Sequence, residues 1–219
     1  MIGVVSLGAI SASAAPVPWS SPNGSTPFFD YSNGQSDNGL FGSPNIAGST
    51  FEFFPSSFQA QSSNGSSANT SDRLSFTLMA KPGQTITGIT INEAGDYAIL
   101  GTGTVNAQGA LFVTNLNQFS FQSDTLHTNP TFPLGTTTAA NGLWTGSSQV
   151  LFPPGWTKVQ VVMNNILQTQ SGPNSSAEID KKVVGADVLI SVIVPEPGTL
   201  GLLAVGGAMF LLRRTRKTA

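Results

Sequence analysis

Between Arg73 and Leu78 the chain alternates strictly, with Leu74, Phe76 and Leu78 on one face and Arg73, Ser75 and Thr77 on the other. A period of two is the signature of a half-buried strand, and it rules out a helix there. The pattern recurs in Ile86 to Glu93, where Ile89, Ile91 and Glu93 share a face, and in Trp156 to Leu167, where Val159, Val161 and Met163 do. Phe28 to Tyr31 and Phe51 to Phe54 are further short strands. Ala110 to Thr114 and Gln118 to Asp124 form a pair joined by Asn115-Leu116-Asn117. Lys81-Pro82-Gly83-Gln84 is a predicted turn, and Ala94-Gly95-Asp96 is another, leading into Tyr97 to Leu100. Ala177 to Val184 and Asp187 to Val194 read as a hairpin across Gly185-Ala186. The last of these strands is apolar on both faces, which predicts a central position. Ser32 to Ser49 and Asp124 to Ser148 read as long loops, and Gln59 to Ser71 as a polar linker. Roughly eight to ten short strands without a soluble helix predict an all-β fold, an antiparallel β-sandwich of jelly-roll-like topology. A barrel or irregular sandwich is the alternative.

The balance of residues fits an extracellular β-protein. Charged residues are only 9% of the chain, and its polarity comes from 26 Ser, 22 Thr and 15 Asn. There is no cysteine, so no disulfide can staple the fold, and thiol catalysis and Cys-based zinc sites are excluded. From Ala15 to Val194 there are 10 acidic and 5 basic side chains, a formal charge of −5. The absence of a basic patch argues against nucleic acid as a partner.

The two ends read as addresses. Ile2 to Ile10 is apolar or small and is followed by Ala12-Ser13-Ala14, a signal-peptide core with a small-x-small cleavage site after Ala14. No Lys or Arg precedes Arg73, so either the start codon lies upstream of Met1, the preferred reading, or the α-amino group alone supplies the positive charge of the signal. At the other end, Val194-Pro195-Glu196-Pro197 precedes the uncharged run Gly198 to Leu212 and then Arg213, Arg214, Arg216 and Lys217. As a helix that run would span roughly 22 Å at about 1.5 Å per residue, a short transmembrane segment. The terminal cations favour the cytoplasmic side and can snorkel to headgroups. Pro195 and Pro197 keep the hinge extended. The predicted organisation is a signal peptide over 1–14, an extracellular sandwich over 15–194 and a tail over 195–217. The tail divides into hinge 195–197, span 198–212 and basic stop 213–217.

Hinge, apolar run and basic stop, in that order, resemble the PEP-CTERM sorting domain over about residues 194 to 217. The resemblance implies export by a Gram-negative-type bacterium to the envelope, outer surface or extracellular matrix. It also implies recognition by exosortase, a membrane-embedded transpeptidase-like enzyme, often alongside exopolysaccharide production.

Chemistry is sparse in the body. His127 is the only histidine, three residues from Asp124, and reads as an exposed loop residue. No Gly-x-Ser-x-Gly elbow occurs. A glycosidase needs two facing carboxyl groups, and Glu93 is the most interesting candidate, at the rim of an apolar face. Its bland alternative is that the strand ends there and Glu93 meets the turn at Gly95 and Asp96. Asp30, Asp37, Asn38, Asp72 and Asp96 would suit a structural calcium, the one cofactor the chain invites. Of Trp19, Trp144 and Trp156, Trp144 in its long loop is the candidate for stacking on a sugar. No catalytic, cofactor-binding or metal residue is assigned. The expectation is a non-enzymatic surface or matrix protein with a structural or adhesive body. A carbohydrate-binding module is the alternative, and a glycoside hydrolase the least favoured reading.

Overall fold

A computed structural model describes residues 15–153, 155–181 and 188–195. The signal-like start, Gly185-Ala186 and the tail from Glu196 onward lie outside them. Among the described residues every regular element is a strand. In chain order these are β1 (Val17–Pro18), β2 (Gly24–Ser25), β3 (Phe29–Ser36), β4 (Asn45–Ala47), β5 (Thr50–Phe53), β6 (Gln59–Ser63), β7 (Ser67–Ala80) and β8 (Gly88–Leu100). They continue with β9 (Gly103–Asn115), β10 (Ser120–Thr125), β11 (His127–Asn129), β12 (Leu134–Thr136), β13 (Ala139–Leu151), β14 (Lys158–Ser171), β15 (Ser176–Asp180) and β16 (Val188–Ile193).

They make two antiparallel sheets. The first runs β1-β3-β7-β14-β9-β10, with β2 on β3 and β12 on β9. The second runs β11-β13-β8-β16-β5-β4, with β15 between β8 and β6. Successive long strands β7, β8, β9, β13, β14 and β16 alternate between the sheets, the winding of a jelly-roll-like sandwich.

The alternation seen in the sequence sets the inner faces. Leu74, Phe76 and Leu78 of β7 and Val159, Val161 and Met163 of β14 turn inward from the first sheet. They meet Ile89 and Ile91 of β8, Val188, Ile190 and Val192 of β16, and Phe51 and Phe53 of β5. A second, smaller core at the other end of the same strands joins Phe58, Ile99, Val105, Trp144, Leu167 and Ile179. Between the two cores the inward positions turn polar: Glu93 on β8 and Asn165 on β14.

Several expectations are corrected. Ala94-Gly95-Asp96 is no turn, since β8 runs straight through it. Gly95 is needed instead for close approach, because a Cβ there would lie 1.9 Å from the Asp180 carbonyl oxygen and 2.4 Å from Trp144 Nε1. The stretch read as a loop from Asp124 to Ser148 holds β11, β12 and most of β13. Gln59 to Ser71 holds β6 and the start of β7, and Ser32 to Ser49 holds the end of β3 and all of β4. β15 and β16 do not pair as a hairpin. They lie end to end along one edge of β8, with Asp180 opposite Asp96 and Val188 opposite Glu93. β16 is central, between β8 and β5, but its outward residues Leu189 and Ile193 are only half-buried.

Candidate functional site

Glu93 and Lys181 form an ion pair with no solvent exposure on either side chain. Glu93 is carried inward by the parity of β8, continuing the row of Ile89 and Ile91. Lys181 immediately follows β15, and its backbone N–H donates to the Phe58 carbonyl at 3.0 Å, which holds the residue at the sheet. Its ammonium donates to Glu93 Oε2 and lies 4.9 Å from the Trp144 ring centroid and 5.5 Å from that of Phe58. From the opposite sheet, Asn165 Nδ2 donates to both Glu93 oxygens at 2.8 Å. Asn165 Oδ1 is buried and has no hydrogen-bond partner among the described residues. Gly109, across from Asn165, leaves it room, because a Cβ there would sit 2.9 Å from Nδ2.

Burial holds the Lys181 amine below the ordinary lysine range, while the Glu93 charge and hydrogen bond pull it part of the way back. Sealing an ion pair from water costs several kcal/mol per ion, so the site is held by geometry rather than favoured by charge alone. Beside it, burial pushes the Asp180 carboxyl up to about 6, and the Asp96 charge directly opposite adds to the rise.

Glu93 is therefore neither at a rim nor in a cleft, and the strand does not end there. Trp144 also departs from expectation. It is 1% exposed, and its Nε1 donates to the Asp180 carbonyl at 3.0 Å. It is a wall of the buried site and offers no face to a sugar. Trp19 and Trp156 are likewise core residues.

Among the described residues the most exposed aromatics are phenylalanines, Phe119 at 86% and Phe121 at 66%, with Phe54 and Phe112 less so. Phe112 and Phe121 share the outer face of the first sheet, where Phe121 stands opposite Thr114. Farther along that face, Asn69, Asn106, Gln168 and Gln170 line a groove of about 410 Å³. There Asn106 Nδ2 donates to Gln168 Oε1 at 2.9 Å.

The remaining candidates are dispersed. His127 is exposed, and its Nε2 lies 3.2 Å from Asp124 Oδ1. Burial alone would raise the Asp124 carboxyl. Hydrogen bonds from the Gln149 backbone, from His127 and from the Thr125 backbone outweigh it and hold the group below its usual range. Asp72 accepts backbone N–H bonds from Asn38, Leu40 and Arg73, each at 2.8 Å. Asp30 pairs with Lys81. Among the described residues no three His or acidic side chains gather where they would hold a metal ion.

Residues 194–217 match the PEP-CTERM protein-sorting motif. The motif implies an exported, exosortase-sorted surface protein of Gram-negative bacteria. No curated protein matches the chain. Among solved structures it is similar to TmCBM61 in complex with beta-1,4-galactotriose, at 11% identity and a TM-score of 0.22, covering 75% of this chain and 88% of that one. It is also similar to the CBM22-1–GH10 modules of Clostridium thermocellum xylanase 10B complexed with xylohexaose (10% identity, TM-score 0.23, 61% of this chain and 26% of that one). A third likeness is to the enzymatically active domain of bacteriophage CBA120 tailspike protein 4 (13% identity, TM-score 0.21, 71% of this chain and 20% of that one). The chain spans about a quarter of the xylanase structure and a fifth of the tailspike structure.

Proposed function

We propose that this chain is a non-catalytic surface protein whose sandwich serves a structural or adhesive role once exosortase has acted on its tail. The observation that carries the reading is the sorting motif beginning at residue 194, directly after β16 ends at Ile193. Pro195, Glu196 and Pro197 would present the backbone to the processing enzyme. The run 198–212 would hold the substrate in the membrane, and Arg213, Arg214, Arg216 and Lys217 would keep the end cytoplasmic. Cleavage after Ala14 would release the mature start. Replacing Pro195-Glu196-Pro197 with three alanines in an exosortase-bearing host should block processing and surface delivery. Normal delivery of that variant would refute the reading.

A non-catalytic body is supported by how its carboxylates are used. Glu93 is sealed from solvent, Asp72 anchors the 38–40 segment, and Asp30 binds Lys81.

A carbohydrate-binding role is the second reading, and the amide-lined groove over Asn69, Asn106 and Gln168 favours it. Uncharged amides suit neutral sugar hydroxyls, and many weak copies on a surface add avidity. Affinity electrophoresis in gels containing matrix polysaccharide tests this. Retardation that Gln168→Ala abolishes would support the groove, and mobility unaffected by any polysaccharide would count against it.

A further inference from the structure

Lys181, Glu93 and Asn165 meet in the dry interior between the two cores, and we propose that they form an intramolecular isopeptide bond from Lys181 Nζ to Asn165 Cγ, with Glu93 carrying the protons. The amine and the amide are both hydrogen-bonded to Glu93 Oε2. Two hydrogen bonds to one oxygen leave the two nitrogens about 4–5 Å apart, so a small side-chain movement brings Nζ onto Cγ.

The surroundings favour that chemistry. Neither side chain has access to water, and burial weighs against the ammonium, although the Glu93 charge and the ring faces of Trp144 and Phe58 offset part of that cost. Transfer of one proton from the ammonium to the Glu93 carboxylate, along their existing hydrogen bond, yields a free amine and a carboxylic acid. A desolvated lysine amine is a competent nucleophile. A half-turn of the Asn165 amide then sets Oδ1, which otherwise has no partner among the described residues, onto the Glu93 proton and polarises Cγ.

The amine lone pair attacks Cγ, forming the Cγ–Nζ bond and moving the carbonyl pair onto Oδ1. Glu93 takes a proton from Nζ and, as the tetrahedral centre turns back about Cβ–Cγ to the original Nδ2 contact, delivers one to Nδ2. The carbonyl re-forms, the Cγ–Nδ2 bond breaks, and ammonia leaves with the electron pair. One amide replaces another, one molecule of ammonia is released, and no oxidant or cofactor is consumed.

The placement also makes the bond useful. Asn165 belongs to the first sheet, while Lys181 follows β15 of the second, so the link would join the layers covalently. A chain without cysteine has no disulfide to do this.

The test is peptide mapping and intact mass of the purified full chain, its termini read from the same digest and incubation continued until the mass is constant. The expected result is a mass about 17 Da below the sequence value, the mass of the ammonia lost on amide exchange. It should come with a branched peptide joining the segments around Asn165 and Lys181, and loss of trypsin cleavage after Lys181. Glu93→Gln and Lys181→Arg should each restore the full mass and linear peptides. A folded chain of full mass, cleaved normally at Lys181, would overturn the proposal, as would a mass deficit confined to linear peptides. A branched link that persists in Glu93→Gln would overturn the role given to Glu93. Should either variant fail to fold, the parent's peptide map decides alone.

Discussion

At the scale of single residues, Trp144 and Gly95 are read together. The inward positions of β13 include Gly142, Trp144, Gly146 and Ser148, mostly too small to register as an apolar stripe. The missing volume comes from neighbours. Leu126 lies over Gly109 and Gly146, Tyr97 over Gly142, and Trp144 over Gly95. Such small-to-large matching is a property of adjacent strands and leaves no periodic trace in one of them, which is why Trp144 reads as a loop residue. Trp144→Ala should therefore destabilise the fold by about 3–5 kcal/mol, measured by denaturant unfolding. Gly95→Ala should cost at least about 3 kcal/mol, because the new methyl meets the Asp180 backbone oxygen rather than a movable side chain.

Asp180 supplies a pH dependence. Its carboxyl is raised from 3.8 to about 6 in the folded chain, so folding favours the protonated form. The stability this contributes is fully present below about pH 4 and is lost as pH rises through about 6. Asp180→Asn should remove that loss. The variant's advantage should grow between pH 4 and 6 and then level off at about 1–3 kcal/mol, as followed by thermal or urea unfolding at each pH.

At the scale of elements, strands with large inward side chains were legible and those with small ones were not. β7 and β14 announced themselves through Leu74, Phe76, Val159 and Val161, all of which lie in the larger core. Phe76→Ala should cost about 3–5 kcal/mol in equilibrium unfolding. Ser75→Ala should cost far less, since its hydroxyl has only a 3.5 Å contact from Gln35. Equal costs would mean that the strand parity is wrong.

β8 was half legible. Glycine beside aspartate mimics a turn, and only the pairing of β8 with β13 and β15 shows that Gly95 makes room for a neighbour. The buried site was legible as one residue out of three. The parity of Glu93 pointed inward, but Asn165 and Lys181 are 16 positions apart and belong to different sheets. Nothing local marks them as partners.

At the scale of the whole molecule, the sorting motif was the most readable part because it is linear: hinge, apolar run and basic residues follow one another in the sequence, so reading them takes no knowledge of the fold. Its attachment to the body was not readable, since it depends on which strand comes last and what flanks it. Protease added to intact spheroplasts should digest the sandwich and spare an epitope tag placed after Lys217, in keeping with the proposed orientation. A protected sandwich would contradict it.

The placement of β16 has a mechanical consequence. Any load applied at the C-terminal end enters through Val194 and runs along a strand hydrogen-bonded on both edges, to β8 and β5. Those bonds lie across the direction of pull, so they are sheared together instead of being peeled one at a time. Force that freed β16 would next reach Lys181. If that residue is bonded to Asn165, the segment between them cannot lengthen, and end-to-end stretching of one molecule should stop roughly 5 nm short of the fully extended chain, at about 3.5 Å per residue. Lys181→Arg would recover that length, and the sandwich would then yield in full to the tension it otherwise arrests.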